Sequence, residues 1–370
     1  MNSGFEFLDK SELQNKTSYK WRQNSESTIP LTVAEMDYNV APAIRAGLHS
    51  MVESSDMGYL GKFPELQSAF AGFARRHWNW EINNAKVRIA NDLGAAVSEV
   101  LHIISKPGER VLINSPVTNF ADWLKEVGRV PHDVPLINQG MQYSLDIVGI
   151  EHAFQDGVRI YLLCNPHSPV GANFPRQDLL RIAELADKYG AIVLSDEIHG
   201  PLVYQEFTPF LTLGPAAKKV GIAFSSASKA FNIAGLKCAV CLTENLTLDS
   251  QLDLIPESAR HRASLFGAIA TAIAFTDCDD WLADAKSVMQ SNAHLLKDLL
   301  EQHFPSAHYR VPDFAYLAWI DFTESWMARF KEADVALLAG PTYGKGLGTF
   351  ARLNFATSPE ILKEAFSRIK

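Results

Sequence analysis

Short, continuously apolar segments alternate with helix-like segments through the middle of the chain. Residues 175–190 carry apolar side chains at helical spacing, and Gly190 stands where such a helix would end. Strands that are apolar on both faces and are separated by helices are typical of a parallel sheet covered on both sides. We therefore predict an α/β fold whose strands lie in the apolar runs 110–117, 158–166, 191–200, 220–228 and 236–245.

The last part of the chain follows a different pattern. A helix-like segment at 292–304 precedes an alternating segment at 309–322, and a Gly-rich loop then leads to a strand-like segment at 349–358. This order predicts a smaller α+β unit. We place the large domain in residues 46–255 and the small domain in residues 1–45 together with 256–370.

Composition and charge exclude several classes of protein. The chain has 370 residues, enough for two domains and a sizeable core, and a formal net charge of -8. With no basic block, the sequence argues against a nucleic-acid partner. The apolar run 264–275 is too short to span a bilayer and reads as a buried helix, and MNSGFEFLDK lacks the features of a signal peptide. We expect a cytoplasmic protein with no membrane partner.

The cysteine pattern adds no redox or metal site. Cys238 and Cys241 form a CxxC, but this motif lies inside an apolar, strand-like run and has no second pair. We interpret the spacing as accidental, and we predict no bound metal. The absence of a disulfide framework also favours the cytoplasm.

Unusual polar residues follow the predicted strands. In an open α/β sheet, ligands bind beyond the carboxyl ends of the strands. Asp196 and His199 close one strand in SDEIHG, the loop NPHSPVG with Ser168 follows another, and Lys229 follows a third in SSASKAFNIAGLK. Taken alone, Asp196 fits a helix cap or an ion pair as well as a cofactor contact, and a loop lysine is most often simply solvated.

Two further positions are candidates for binding anions. Gly94 and Ala95 stand at the start of an amphipathic helix, where free N–H groups and the helix dipole favour a phosphate, although small residues there are also common for packing. Arg352 is flanked by apolar strand residues and needs an anionic partner, which could be a substrate carboxylate or an internal acidic residue.

Together these motifs resemble those of a known family. SxxK at 226–229 with Lys237 eight residues later, SDEIH, NPxxPVG and RLNFA are similar to the motifs of the fold-type I pyridoxal-phosphate (PLP) enzymes, the class I/II aminotransferase family. The segments SYKWR (18–22), PLTVAEMDY (30–38), MGYL (57–60) and YLAWID (316–321) resemble its cystathionine β-lyase, or C-S lyase, branch. The resemblance covers nearly the whole chain and implies the PLP-transferase type I fold.

The resemblance implies roles around the reactive end of the cofactor. Lys229 would bind the PLP aldehyde covalently and then act as the general base at Cα of the substrate. Asp196 would keep the pyridine nitrogen protonated, so that the ring can withdraw electrons from Cα. His199 would lie near the phenolic oxygen, and Arg352 would bind the substrate α-carboxylate.

The resemblance also implies a phosphate site and a dimer. Gly94 and Ala95 would donate backbone N–H groups to the phosphate, and Ser226 and Lys237 would add a hydroxyl and a cation. Tyr59 would reach the phosphate from the neighbouring subunit, which implies a homodimer with its active site at the subunit interface.

The sequence departs from the family pattern at two positions. Ser168 replaces the asparagine that bonds the phenolic oxygen, so that this bond would be lost or bridged by water. Thr118 occupies the usual place of the aromatic residue that stacks on the pyridine ring, and Phe120 is the candidate substitute. Both changes bear on the electronic tuning of the cofactor more than on its binding.

The branch resemblance favours one reaction. It implies a C-S β-lyase that eliminates a thiol from cystathionine or a related S-substituted cysteine to give pyruvate and ammonia. An aminotransferase of the same fold is the alternative, because both reactions use the same lysine, aspartate and arginine. A regulatory or binding protein that retains the fold is a third reading, which the intact lysine disfavours.

Overall fold

The computed structural model describes residues 3–83 and 86–369, and its helices form at the amphipathic segments. The helix predicted at 175–190 spans Arg176–Tyr189 and ends at Gly190, whose φ of 65° only a glycine adopts readily. In chain order the helices are α1 Lys10–Gln14, α2 Tyr19–Arg22, α3 Pro42–Glu53, α4 Pro64–Trp78, α5 Leu93–Ile104, α6 Phe120–Glu126, α7 Ile147–Gln155, α8 Arg176–Tyr189, α9 Pro215–Val220, α10 Leu246–Leu252, α11 Glu257–Arg260, α12 Leu265–Asp277, α13 Asp279–His303, α14 Met327–Glu332 and α15 Pro359–Ser367.

The strands are short, and each of the five predicted apolar runs contains one. They are β1 Ile29–Pro30, β2 Arg88–Ala90, β3 Arg110–Ile113, β4 Val130–Asp133, β5 Ile137–Gln139, β6 Gln142–Ser144, β7 Ile160–Cys164, β8 Ile192–Asp196, β9 Gly221–Ser225, β10 Ala239–Leu242, β11 His308–Tyr309, β12 Leu317–Asp321, β13 Val335–Ala336, β14 Leu338–Ala339 and β15 Phe350–Asn354.

The main sheet has seven strands in the order β2-β10-β9-β8-β7-β3-β4. The strands from β9 to β4 run parallel, as predicted, but β10 is antiparallel to both β9 and β2. The sheet is therefore mostly parallel, and the run 236–245 is the antiparallel exception among the five apolar runs. A parallel return needs a crossover, usually a helix, and the segment between β9 and β10 holds only a loop and one short 3₁₀ turn.

Helices cover both faces of the main sheet. Leu179 and Ile182 of α8 are completely buried on one face, and Val97 and Leu101 of α5 are completely buried on the other. These two cores explain why the central strands are apolar in both directions. The result is the predicted α/β architecture, a mostly parallel sheet flanked by helices.

A second, antiparallel sheet forms the smaller α+β unit. Its strand order is β11-β12-β15-β14, and β15 pairs Arg352 with Trp319 of β12. The N-terminal arm joins this unit because β1 pairs in parallel with β13. The domain boundaries at 45/46 and 255/256 stay a prediction, although α3 crosses the first of them and packs on α12, which lies beyond the second.

Helix α12 is the buried helix predicted at 264–275. Ala268, Ala270 and Phe275 are completely buried in it, and Ser264 caps its start by accepting a hydrogen bond from the Gly267 N–H. Within residues 3–83 and 86–369, no helix combines the length and the apolar character that crossing a bilayer requires.

Gly267 lets α12 approach the loop that follows Lys229. A Cβ at this position would lie 2.2 Å from the backbone oxygen of Leu236, far inside van der Waals contact. We expect Gly267→Ala to lower the free energy of unfolding by about 1–3 kcal/mol, despite the better helix propensity of alanine, because the loop must shift. Urea unfolding measures the change. Gly348→Ala is the control, since its Cβ would meet no atom within 4 Å. Equal urea midpoints for the two variants would show that the loop can shift without loss of stability, which would contradict the prediction.

Candidate active site

Three neighbouring strands deliver their polar residues to one edge of the main sheet. Strands β7, β8 and β9 are parallel, and their register aligns Cys164 with Asp196 and Asp196 with Phe224. The loops that follow these strands therefore start side by side. They carry Ser168, His199 and Lys229 respectively, as the sequence predicted for the carboxyl edge.

Asp196 ends β8 as a buried carboxylate. It is 5% exposed, and the Ile198 N–H donates a hydrogen bond to it at 3.1 Å. Burial raises the pKa of Asp196 to about 7, while this N–H and the Lys229 cation act in the opposite direction. A buried carboxylate with so little protein support is suited to a cationic partner.

Lys229 lies beside Asp196 with a depressed pKa. Burial lowers the pKa of Lys229 to about 8, and the Arg352 cation contributes to this effect, against the carboxylates of Glu35 and Asp196. Its Nζ lies 3.5 Å from the backbone oxygen of Ala34. An amine with a pKa near neutrality can act as a nucleophile and as a proton acceptor.

His199 is buried and neutral. Burial lowers the pKa of His199 to about 3, assisted by the Lys229 and Arg352 cations. Its ring packs on Phe314 at a centroid distance of 5.4 Å, and its Nδ1 has no hydrogen-bond partner among the described residues. The side chain therefore offers an unused polar atom to the site.

The loop after β7 places Ser168 in a buried position. Ser168 is 6% exposed. Its neighbour His167 is completely buried, its Nε2 lies 3.1 Å from the backbone oxygen of Asn114, and burial lowers its pKa to about 4. His167 is thus a structural residue, whereas Ser168 stays a predicted cofactor contact.

The start of α5 brings the predicted phosphate ligands together. Asp92 caps the helix by accepting the Ala95 N–H at 2.8 Å, and its other oxygen accepts a hydrogen bond from Lys237 Nζ at 3.0 Å. Gly94 lies beneath Trp123, because a Cβ on Gly94 would be 2.9 Å from the indole ring. Lys237, Gly94 and Ala95 therefore surround one helix N-terminus, as predicted, and Asp92 is a member that the sequence analysis did not include.

Three other predicted contacts have different surroundings. The Ser226 hydroxyl donates to the backbone oxygen of Cys238 at 2.7 Å and accepts the Ser228 N–H, so both of its bonds stay within the loop. Phe120 is 2% exposed, and its ring packs in the core 5.4 Å from that of Trp123. Tyr59, in contrast, is 92% exposed. Their roles at the cofactor stay predictions.

Arg352 reaches the site from the small sheet. It is 6% exposed and donates from one terminal nitrogen to the backbone oxygen of Thr32 at 3.2 Å. Its guanidinium lies over the Tyr343 ring at 5.3 Å from the centroid. No acidic residue pairs with it within the described ranges, which favours the reading that Arg352 binds an external carboxylate.

Sequence reasoning missed several residues that shape the site. Tyr316 donates its hydroxyl to the backbone oxygens of Ala34 and Lys229, at 3.2 and 3.4 Å. Asn354 and Asn232 hold the segment around Ala34 from two sides. The alternation of β15 could have indicated Asn354, since it shares a strand face with Arg352. No local signal marks Tyr316.

Six buried polar atoms near the strand ends and on β15 have no partner in the described structure. They are Thr118 Oγ1, Asn165 Oδ1, His167 Nδ1, His199 Nδ1, Ser225 Oγ and Arg352 Nε. A buried polar group without a hydrogen bond is costly, and such groups are rare in native proteins. The six atoms lie after β3, β7 and β8, at the end of β9 or on β15, a region called the cleft below, and this grouping indicates a polar ligand site.

Comparison with known proteins identifies the family. The sequence model described as Aminotransferase class I and II matches residues 26–369. The chain belongs to this family. The match includes Lys229, Asp196 and Arg352 and the motifs around them, whereas the segment SYKWR at 18–22 precedes it.

Named relatives of this class I and II aminotransferase family member include carbon–sulfur lyases. Cystathionine beta-lyase of Corynebacterium glutamicum is 30% identical, over 98% of this chain and 98% of that protein. Cystathionine beta-lyase PatB of Bacillus subtilis is 28% identical with the same coverage. Cystalysin of Treponema denticola, whose crystal structure contains pyridoxal 5'-phosphate, superposes with a TM-score of 0.92 at 25% identity, over 98% of this chain and 97% of that one.

These findings confirm the family and the fold that the sequence motifs implied. The main sheet and its helices have the α/β architecture of the fold-type I PLP enzymes, and the similarity to the lyase branch extends over nearly the full length. The individual site residues rest on the geometry described above.

The burial of Asp196 has a consequence for the cofactor-free protein. The folded-state pKa of about 7 lies above the ordinary value of 3.8, so this carboxyl group favours folding below about pH 4, and that contribution is lost as the pH rises through 7. We expect Asp196→Asn to raise the free energy of unfolding at pH 8 by about 2 kcal/mol, because no charge is then buried.

Urea unfolding of the cofactor-free protein between pH 4 and 8 tests this expectation. The difference between variant and wild type is expected to grow with pH. The neighbouring Glu197 accepts bonds from Ser195 and the Phe210 N–H, yet burial raises its pKa to about 8. Glu197→Gln is therefore the comparison for a buried carboxyl group that has hydrogen-bond donors from the protein. If Asp196→Asn leaves stability at pH 8 unchanged or lower, then Asp196 has protein support that the geometry does not show.

Proposed function

We propose that this protein is a PLP-dependent carbon–sulfur β-lyase. It eliminates a thiol from cystathionine or a related S-substituted cysteine and yields pyruvate and ammonia. The observation that carries the proposal is the position of Lys229, with its lowered pKa, in the loop after β9, next to the end of β8 where Asp196 lies. Full-length similarity to cystathionine beta-lyases supports it.

The residues of the cleft fit PLP. The buried carboxylate of Asp196 can pair with a protonated ring nitrogen, and His199 Nδ1 and the Ser168 hydroxyl would be available to polar groups of the ring. The N-terminus of α5 and Lys237 would supply N–H groups and a cation for the phosphate, in exchange for the bonds that the Ala95 N–H and Lys237 now make to Asp92. When bound, PLP supplies an electron-withdrawing ring that stabilises negative charge at the substrate Cα.

Lys229 handles the protons of the reaction. Its Nζ would hold the cofactor covalently in the resting enzyme. Once free, the amine would take the proton from Cα of the substrate, since a pKa of about 8 leaves a useful neutral fraction near physiological pH. The resulting ammonium can return a proton to the departing sulfur. The overall reaction consumes one water molecule and releases the thiol, pyruvate and ammonium.

Arg352 would orient the substrate through its α-carboxylate. Its guanidinium is buried, lacks an acidic partner among the described residues and has a free Nε. One terminal nitrogen is fixed by Thr32 and the ring of Tyr343 lies beneath the plane, so the fork is held ready for two-point binding.

Transamination remains the competing reaction, because it uses the same three residues. The two reactions differ in whether the Cα electrons expel sulfur or a proton returns at the cofactor carbon. The names of the full-length relatives favour elimination. We also propose a cytoplasmic homodimer in which Tyr59 contributes to the partner's site. The 92% exposure of Tyr59 supports this proposal, because an aromatic side chain left so open is suited to an interface.

Cystathionine without a keto-acid acceptor separates the two reactions. We expect pyruvate and free thiol to accumulate together over many turnovers of the PLP-loaded protein, since elimination regenerates the enzyme unaided. Colorimetric thiol detection and coupled lactate dehydrogenase measure the two products. A single turnover that continues only after a keto acid is added would assign the protein as an aminotransferase.

Lys229→Ala is the matched control for that assay. It removes the amine that binds PLP covalently and moves the Cα proton, so we expect turnover to fall by a factor of about 10³ or more. The visible absorbance of the lysine–PLP linkage is also expected to be lost. Lys219→Ala, at an exposed lysine on α9 away from the cleft, is expected to behave as wild type.

Co-expression of two inactive variants tests the shared site. Tyr59→Ala and Lys229→Ala chains, carrying different tags, form mixed dimers. If Tyr59 acts across the interface, one site of each mixed dimer has both defects and the other has neither. About one quarter of all sites in a random mixture are then intact, and activity returns. If Tyr59 acts within its own subunit, each site keeps one defect and the mixture stays inactive.

A further inference from the structure

One irregular segment contacts Lys229, Arg352 and Tyr316. Residues 32–36, here called the strap, form neither helix nor strand and lie over the Lys229 loop. Arg352 donates to the Thr32 oxygen at 3.2 Å. Tyr316 and Lys229 both donate to the Ala34 oxygen, at 3.2 and 3.5 Å. The backbone of the strap therefore sets where these groups point.

Two asparagines fix the strap to the elements that carry the catalytic side chains. Asn354, two residues after Arg352 on β15, donates to the backbone oxygens of Val33 and Glu35. Asn232, three residues after Lys229, accepts the Met36 N–H at 2.8 Å and donates to the Met36 oxygen at 2.9 Å. Displacement of the strap would therefore disturb both β15 and the loop that carries Lys229.

The far end of the strap is held by a buried ion pair. Lys20 and Asp37 lie 2.8 Å apart with side chains 0% and 2% exposed, and the Trp21 indole N–H donates to the other Asp37 oxygen at 2.8 Å. Lys20 Nζ also lies 3.4 Å from the backbone oxygen of Glu35. These residues belong to the segments SYKWR and PLTVAEMDY, for which sequence reasoning gave no role.

Stability alone does not account for such a pair. Taking two charges out of water costs several kcal/mol, and an apolar pair of similar volume often serves a fold as well. A charge pair differs from an apolar contact in that it fixes position, since both partners require defined geometry. Asp37 meets this requirement, with one oxygen bound by Lys20 and the other by Trp21.

We propose that Lys20, through Asp37, is a positioning residue for the carboxylate-binding site. The pair holds the strap, and the strap holds the Arg352 guanidinium in its binding orientation. The proposal rests on the proposed function only in that Arg352 receives the α-carboxylate of an amino acid. It concerns binding of the substrate backbone and not the fate of the sulfur.

The test uses the full-length, PLP-loaded protein and L-alanine, which has no leaving group at Cβ. We expect Lys20→Met to raise the Kd for L-alanine, measured by difference absorbance, by about tenfold, the equivalent of one charge-assisted hydrogen bond. With cystathionine, KM is expected to rise by a similar factor and kcat to change less. Trp21→Phe keeps the ion pair and loses one bond, so a rise of about threefold is expected.

Lys10→Met is the matched control on the same N-terminal arm. Lys10 pairs with Glu364 at 2.7 Å, but both side chains are about one-third exposed and neither touches the strap. Its Kd, KM and kcat are expected to equal those of wild type. Thermal unfolding of all three PLP-loaded variants separates local displacement from loss of the fold.

The outcomes are distinct. Unchanged Kd and KM in a folded Lys20→Met, or a loss confined to kcat, would overturn the proposal. If Lys20→Met does not fold, Trp21→Phe decides, and wild-type Kd in that variant overturns the proposal. If the wild type releases no thiol from cystathionine yet L-alanine binding weakens as described, the lyase assignment fails and the positioning role stands.

Discussion

The parallel pairing of β7, β8 and β9 is the constraint on which the rest of this molecule depends. Parallel neighbours end at the same edge of a sheet, so three loops distant in sequence start within a few ångströms of one another. The end of β8 supplies the carboxylate of Asp196, and the loops after β9 and β7 supply Lys229 and Ser168. Helices pack on both faces of this sheet, and the strap contacts the loop that carries Lys229, so Asp196 is buried and Lys229 is partly buried.

Burial then shifts the pKa values of Asp196 and Lys229 in opposite directions. Burial raises the pKa of Asp196 and lowers that of Lys229, because each environment disfavours the charged form. Their mutual attraction works against both shifts without cancelling them. The charged forms of Asp196 and Lys229 are therefore less stable than they would be in water, and the two groups are more reactive. This is expected for a site whose charges are balanced by a ligand and not by the protein.

Much of this arrangement could be predicted from the sequence. Apolar runs located the strands, and Lys229, Asp196 and Arg352 stand out because charged residues seldom adjoin such runs. The direction of β10 could not be predicted, because apolar character does not distinguish parallel from antiparallel pairing. Tyr316 and the strap were missed for another reason: they act through backbone carbonyls, which every residue has. Asp92 at the phosphate site was missed because its N-cap role is locally ordinary.

The strap also couples the two ends of the chain. It lies near the N-terminus, yet the strand that receives it, β15, is among the last segments to be made. During synthesis the sheet bearing Asp196 and Lys229 can form while the strap still lacks Arg352 and Asn354. A nascent or truncated chain would thus possess the cofactor half of the site before the substrate half.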